Sequence, residues 1–306
     1  MPLIASTLRT GAVFLLAIAS LLVCASLLSW PVQLLIGVIG NPPFPKTVHF
    51  TLVLSALAVA IAYLVFTDRL GPLSGAQIRR HSGRRQLLAG FLAGALILAM
   101  VEGTLHLLGM RQMDPDLKAG VLSLALVTVK ALAAGLLVGV IEELTYRGAI
   151  LEGLLRHGGA GVAVMLSSLL YAGVHFIDFP ASDPQAGLHW YSGVLMLAQG
   201  FHALQRLAIW DSFLTLFLLG LLLSLIRLRT GNLIACIGLH AGIVTLNKIL
   251  AYATDYREGS PWSFLVNLQD QPNGYLASGC LLICLWIYWR QRLTLERAPR
   301  HGPARG

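Results

Sequence analysis

The sequence predicts an all-α fold: a polytopic bundle of about eight transmembrane helices, both termini inside, forming a single membrane-embedded domain over residues 1–306. Three observations carry this reading. Of 306 residues, 56% are apolar and only 12% charged, where a soluble domain carries roughly 25% charged residues. Mean hydropathy is +0.73. Apolar runs recur at the length of a bilayer crossing, and arginines collect in alternate connections. A water-soluble core of this size could not hide so much apolar surface, and a disordered chain needs the opposite composition.

A crossing helix takes about 20 mainly apolar residues. Eight stretches qualify, at roughly 11–30, 48–67, 87–109, 119–142, 160–178, 212–229, 232–250 and 275–290. The first follows Arg9 and is longer than the apolar run of a cleaved signal peptide, so it is read as a span. Between the second and third lies the basic loop 68–86, with Arg69, Arg79, Arg80, Arg84 and Arg85. Lys and Arg resist translocation, which makes this loop cytoplasmic. Eight spans then put Arg9, Arg156, Arg227, Arg229, Arg290 and the basic tail 291–306 (Arg292, Arg297, Arg300, Arg305) on the same side. Lys46, Arg111, Lys118, Arg206, Lys248 and Arg257 fall on or near the other.

The formal charge of +8 is thus accounted for by orientation in a lipid bilayer, and no nucleic-acid partner is expected. Apolar residues at helical spacing between Trp190, Tyr191 and Trp210, in the 179–211 connection, suit a helix lying in the outer interface. Helical rather than alternating apolar patterning favours the plasma (inner) membrane if the source is bacterial. Cys24, Cys236, Cys280 and Cys284 all lie in apolar runs, where no disulfide is expected.

Ionisable residues within spans are functional candidates because a charge in hydrocarbon costs several kcal/mol. The fourth span ends in Glu142-Glu143-Leu-Thr-Tyr146-Arg147-Gly148. Helical geometry separates the two carboxylates by about 100°. Glu143 and Arg147, at i,i+4, can form an ion pair on one face, which leaves Glu142 without a partner in its own helix. Glu142 lies 16 residues before Gly158, and His175 lies 16 after Gly159. An antiparallel hairpin therefore sets them at similar depth, where a carboxylate facing an imidazole can hold a water and take its proton. The seventh span adds His240. All three groups can converge on one cavity.

Glu142-Glu143-x-x-x-Arg147, Ser167-Ser168-x-x-Tyr171-x-x-x-His175, Phe217-Leu-Leu-Gly220 and Arg229-Thr-Gly-Asn232-Leu with His240-Ala241 after it together resemble the CAAX-protease and bacteriocin-processing (CPBP/Abi) family of intramembrane glutamate proteases. The resemblance covers about residues 119–250. It implies that Glu142 and His175 activate a water and that His240 helps stabilise an oxyanion, with Glu143, Arg147 and Tyr171 in support. Two departures stand out. Tyr146 and Tyr171 occupy positions where phenylalanine is common, and Val244 replaces the asparagine usual four residues after the last histidine. Valine donates no hydrogen bond, and loss of one oxyanion donor costs on the order of 100-fold or more in rate. Asn247, seven residues after His240, can substitute only for a substrate seated deeper.

The reading is therefore an intramembrane endopeptidase acting on a membrane-associated protein or peptide, whether a prenylated tail, a leader or a sorting tail. Its alternative is a non-catalytic scaffold of the same fold, and a third possibility is a transporter using Glu102, Lys130 and Glu142. Glu102, with His106 on its own face, is expected to pair with Lys130 as a structural bridge. A zinc set of Glu142, His175 and His240 satisfies a ligand count, but nothing like His-Glu-x-x-His is present, so neither metal nor cofactor is expected. Ser168 sits two turns from His175, about 10 Å along a helix, too far to be its nucleophile partner.

Overall fold

A computed structural model describes residues 2–40, 42–67, 81–114, 120–157, 159–179, 187–202, 209–257, 259–266 and 274–297. Arg69, Arg79, Arg80, Lys118, Arg206, Arg300 and Arg305 lie outside these, as do the side chains of Arg9, Arg292 and Arg297. The chain is a polytopic helical bundle and an integral, multi-pass membrane protein. In order it runs α1 (Pro2–Ile36), α2 (Phe44–Phe66), α3 (His81–Leu107), β1 (Arg111–Met113) and α4 (Val121–Glu143). A π-helical turn (Leu144–Ile150) leads into α5 (Leu151–His157), followed by α6 (Ala160–Val174), α7 (Ser192–Gly200), α8 (Trp210–Thr230), α9 (Ile234–Ala253), β2 (Thr254–Tyr256) and α10 (Tyr275–Arg297).

Six of the described helical segments are long and apolar enough to cross a membrane: Leu16–Ile36, Phe44–Phe66, Ser82–Leu107, Leu122–Arg156, Trp210–Thr230 and Ile234–Ala253. Ala160–Val174 and Tyr275–Arg290 are apolar but shorter. The fourth span departs from expectation. It does not end at 142 but continues as one apolar segment of 35 residues, Leu122–Arg156. No proline interrupts it, and the charges of Glu143 and Arg147 cancel against each other inside the bundle, so the helix has no reason to stop there.

Helix α9 is the centre of the bundle, held between α3 and α4 by close backbone approach. A Cβ at Gly94 or Gly90 of α3 would lie 2.0 or 2.3 Å from the carbonyl oxygens of Leu239 or Ala235. Reciprocally, a Cβ at Gly238 or Gly242 of α9 would lie 2.2 or 2.1 Å from those of Leu87 or Phe91. On the other side, a Cβ at Gly135 of α4 would meet Thr245 Oγ1 and the Ala241 carbonyl oxygen. Lipid is as apolar as leucine, so helices associate there through close packing, which small residues at four-residue spacing permit. Leu218, Leu222 and Leu223 of α8, Cys236 and Leu239 of α9 and Leu281 of α10 form the adjoining apolar core.

At one end of the bundle β1 pairs antiparallel with β2, Arg111 opposite Tyr256. The Arg111 guanidinium lies 3.1 Å from Glu102 and 4.4 Å over the Tyr256 ring, while the Tyr256 hydroxyl donates to Glu102 at 3.3 Å. Burial, then the Glu102 carboxylate, push that hydroxyl above its ordinary titration range. This corrects the expected bridge to Lys130. Helix α9 packs between α3 and α4, Lys130 is exposed, and Glu102 is buried against the strand pair. His106 is exposed and outside the cluster.

Within the 179–211 connection, the described helix is the nine-residue α7, docked on α1 and α2. Gly193 sits against the Ser26 carbonyl, and Met196 packs on Phe44 and Val48. Gln33 of α1 accepts a hydrogen bond from Thr47 of α2, a polar clamp inside the apolar hairpin.

Gly94→Leu or Gly238→Leu is expected to destabilise the protein by at least about 1–3 kcal/mol, because a backbone oxygen cannot be moved by a rotamer change. The readout is the unfolding midpoint in detergent. Gly103→Leu, with open space at its Cβ, should leave the midpoint unchanged.

Candidate active site

Glu142 and Glu143 close the α-helical part of α4, immediately before the π turn. The turn is closed by the Leu151 N–H bonding to the Tyr146 carbonyl, which also accepts from Ser167 of α6 at 3.3 Å. Single π turns are over-represented at functional sites because they redirect side chains within an otherwise regular helix. Gly148, in the turn, faces Leu64 of α2 and Leu233 at the start of α9.

Arg147 is fully buried and makes the expected pair with Glu143 at 2.9 Å. Its guanidinium lies 4.3 Å over the Tyr171 ring, and it reaches the Gly220 carbonyl of α8 at 3.4 Å. The same Glu143 oxygen, Oε1, lies 3.0 Å from His240 Nδ1. Sequence reasoning missed this second contact. Glu143 is a two-sided bridge that ties the π turn to α9, and its residue spacing to His240 carries no local pattern.

His175 caps α6. Its Nδ1 donates to the Tyr171 carbonyl one turn back, at 2.6 Å, which in the neutral tautomer leaves Nε2 as the acceptor nitrogen. That nitrogen lies 3.7 Å from Glu142 Oε2. His240 Nε2 lies 3.6 Å from the same oxygen. Two imidazoles from different helices, each tied back through Nδ1, therefore turn Nε2 toward one carboxylate oxygen. The three side chains grade from His175 (30% exposed) through Glu142 (23%) to His240 (5%). Access is from the His175 and Glu142 side, with His240 behind.

Tyr171 is buried among these groups, its ring centroid 4.7 Å from that of His175, 5.2 Å from Tyr146 and 6.4 Å from His240. Ser168 donates to the Val164 carbonyl at 2.7 Å and packs on Gly220, a helix-contact role. Asn247 is not brought to the cluster. Thr245 bonds the Ala131 carbonyl, so this part of α9 lies beside the turn of α4 that is 11 residues, about 16 Å, from Glu142.

A long, continuously helical membrane bundle with a carboxylate–diimidazole centre between α4, α6 and α9 defines the class. Residues 124–246 match the family model for Rce1-like proteins, described as type II CAAX prenyl endopeptidase Rce1-like. That match bears out the resemblance read from the motifs. The matched stretch runs from α4 into α9 and contains Glu142, His175 and His240. No curated protein and no solved structure matches the chain.

Arg147→Ala leaves the Glu143 carboxylate buried beside apolar helices and is expected to cost about 3–5 kcal/mol, seen as a lowered unfolding midpoint. Arg147→Lys should recover only part of it, since an ammonium cannot lie flat on Tyr171 and reach Gly220 together.

Proposed function

We propose that the chain is a glutamate-type intramembrane endopeptidase, with a water activated by Glu142 and His175 as the nucleophile. The observation that carries this reading is the pair of Nε2 distances to Glu142 Oε2, 3.7 and 3.6 Å. Both exceed a direct hydrogen bond, and both suit groups that share a water. The Glu142 carboxylate takes a proton from that water while His175 Nε2 accepts its second hydrogen bond. The oxygen then bonds to the scissile carbonyl carbon. As the carbon–nitrogen bond breaks, protonated Glu142 returns the proton to the leaving amine and is a carboxylate again.

His240 in its imidazolium form donates Nδ1–H to Glu143 and Nε2–H to the developing oxyanion. Glu143 is its positioning residue, fixing ring orientation, and Arg147 balances the charge of Glu143. Tyr171 walls the site and carries the carbonyl that holds His175. No added metal or cofactor is needed for these steps. The substrate is a membrane-associated protein or peptide, because the site is flanked by apolar helices. A prenylated C-terminal tail is favoured by the family match, and leader or sorting segments fit the same access.

Glu142→Gln removes the base and is expected to lower turnover by on the order of 100- to 10,000-fold. The measurement is a mass-spectrometric survey of new protein termini in membranes from cells with the wild type, the variant or no copy. Wild-type-only termini support the reading, and termini equal between wild type and folded Glu142→Gln overturn it. Val244→Asn restores a donor one turn from His240 and is expected to raise turnover by up to about 100-fold, measured on a substrate identified from those termini.

A further inference from the structure

Outside the catalytic centre, Lys130 and Lys248 present an unexplained arrangement. Each stands inside an apolar crossing segment, Leu122–Arg156 and Ile234–Ala253 respectively. Both are exposed. Together they line one groove of about 300 Å³ between α4 and α9, whose remaining wall is Val127, Ala131 and Ala134. Among the described residues neither ammonium group is paired with a carboxylate. Glu102, which could have neutralised one of them, is taken by Arg111.

The register explains why both charges fall in one place. Thr245 bonds the Ala131 carbonyl, so Lys248, one turn beyond Thr245, comes level with the turn of α4 that holds Lys130. Lys130 lies nine residues from the start of α4, and Lys248 lies five from the end of α9. Those offsets are about 13 and 8 Å along the helix axes. A lysine stem lets each ammonium reach back toward the headgroup layer. Two like charges sharing a groove in a medium of low dielectric repel each other, and an anion between them converts that repulsion into two attractions. The small side chain of half-buried Ala134, above the buried floor of Ala131, leaves a furrow below the charges.

We infer that this groove is a binding site for an anionic phospholipid from the leaflet at the Val121 and Ala253 end of the bundle. The phosphate sits between Lys130 and Lys248, and an acyl chain lies along the half-buried Val127 and Ala134. Helix α4 carries Glu142 and α9 carries His240, so a phosphate bridging the lysines also clamps the two helices whose spacing sets the site. This inference depends on the fold and not on the protease reading. Lipid binding is measured without any substrate, so the two fail separately.

The test titrates dioleoylphosphatidylglycerol into detergent-solubilised full-length protein and counts bound lipids by native mass spectrometry. The comparison proteins are the double variant Lys130→Gln/Lys248→Gln and its charge-keeping counterpart Lys130→Arg/Lys248→Arg. Each lysine near a headgroup is worth about fivefold. The Gln pair should therefore weaken the tightest site by about 30-fold, equivalent to about 2 kcal/mol, while the Arg pair keeps it. Dioleoylphosphatidylcholine, whose choline offsets the phosphate, should bind more weakly to wild type. Equal retention by wild type and a folded Gln pair overturns the site, the result expected if the lysines merely extend into water. Displacement of the phosphatidylglycerol by millimolar inorganic phosphate overturns the lipid assignment. Unfolding midpoints of all three proteins without added lipid verify that the variants fold.

Discussion

The Glu143 carboxylate is the pivot of this structure. One oxygen, Oε1, meets both Arg147 at 2.9 Å and His240 at 3.0 Å, within a part of the bundle closed to solvent. Separately these groups are a cation, an anion and a titratable ring in an apolar protein, each expensive to bury. Joined, they neutralise one another and fix three elements at once: the π turn that carries Arg147, the α4 terminus that carries Glu143, and α9 through His240. Arg147 extends the tie to the Gly220 carbonyl of α8. The catalytic geometry proposed for Glu142 follows from this, because its neighbour in sequence is held rigidly while Glu142 itself faces the accessible side.

A hydrogen-bonded pivot needs helices that approach closely, and that depends on backbone chemistry. The α3–α9 and α4–α9 seams place glycines where any Cβ would meet a carbonyl oxygen or a neighbouring side chain. With lipid providing no hydrophobic reason for helices to associate, contact area and short backbone distances supply the cohesion. Centring α9 in this way brings His240 to Glu142 and Glu143, and it also explains why Glu102 and Lys130 stay apart. The strand pair at the other end gives Glu102 a closer partner in Arg111.

Much of the site was legible because helices translate sequence spacing into position. The i,i+4 spacing of Glu143 and Arg147 gave a pair that the structure contains, and the symmetric count about Gly158 and Gly159 set Glu142 beside His175. What sequence reading did not reach was long-range. The 97-residue separation between Glu143 and His240 has no periodic signature. The α9 seams did leave one, in Gly90/Gly94, Gly135/Gly139 and Gly238/Gly242, each spaced by four and visible in retrospect. The π turn left none, as Leu144–Ile150 reads like any helical stretch.

Composition and apolar run length alone determined that this chain lives in a membrane as a helical bundle, because backbone groups in hydrocarbon must be satisfied within each helix. Local spacing determined which charges could cancel within one helix, and motif resemblance pointed to the family whose model residues 124–246 match. Beyond the hairpin that joins Glu142 and His175, which helices touch was decided by tertiary structure alone. Pairing across a bundle depends on interhelical distance and rotation, quantities set by backbone contact at the glycine seams. Those seams put one carboxylate between an arginine and a histidine, and another between two imidazoles.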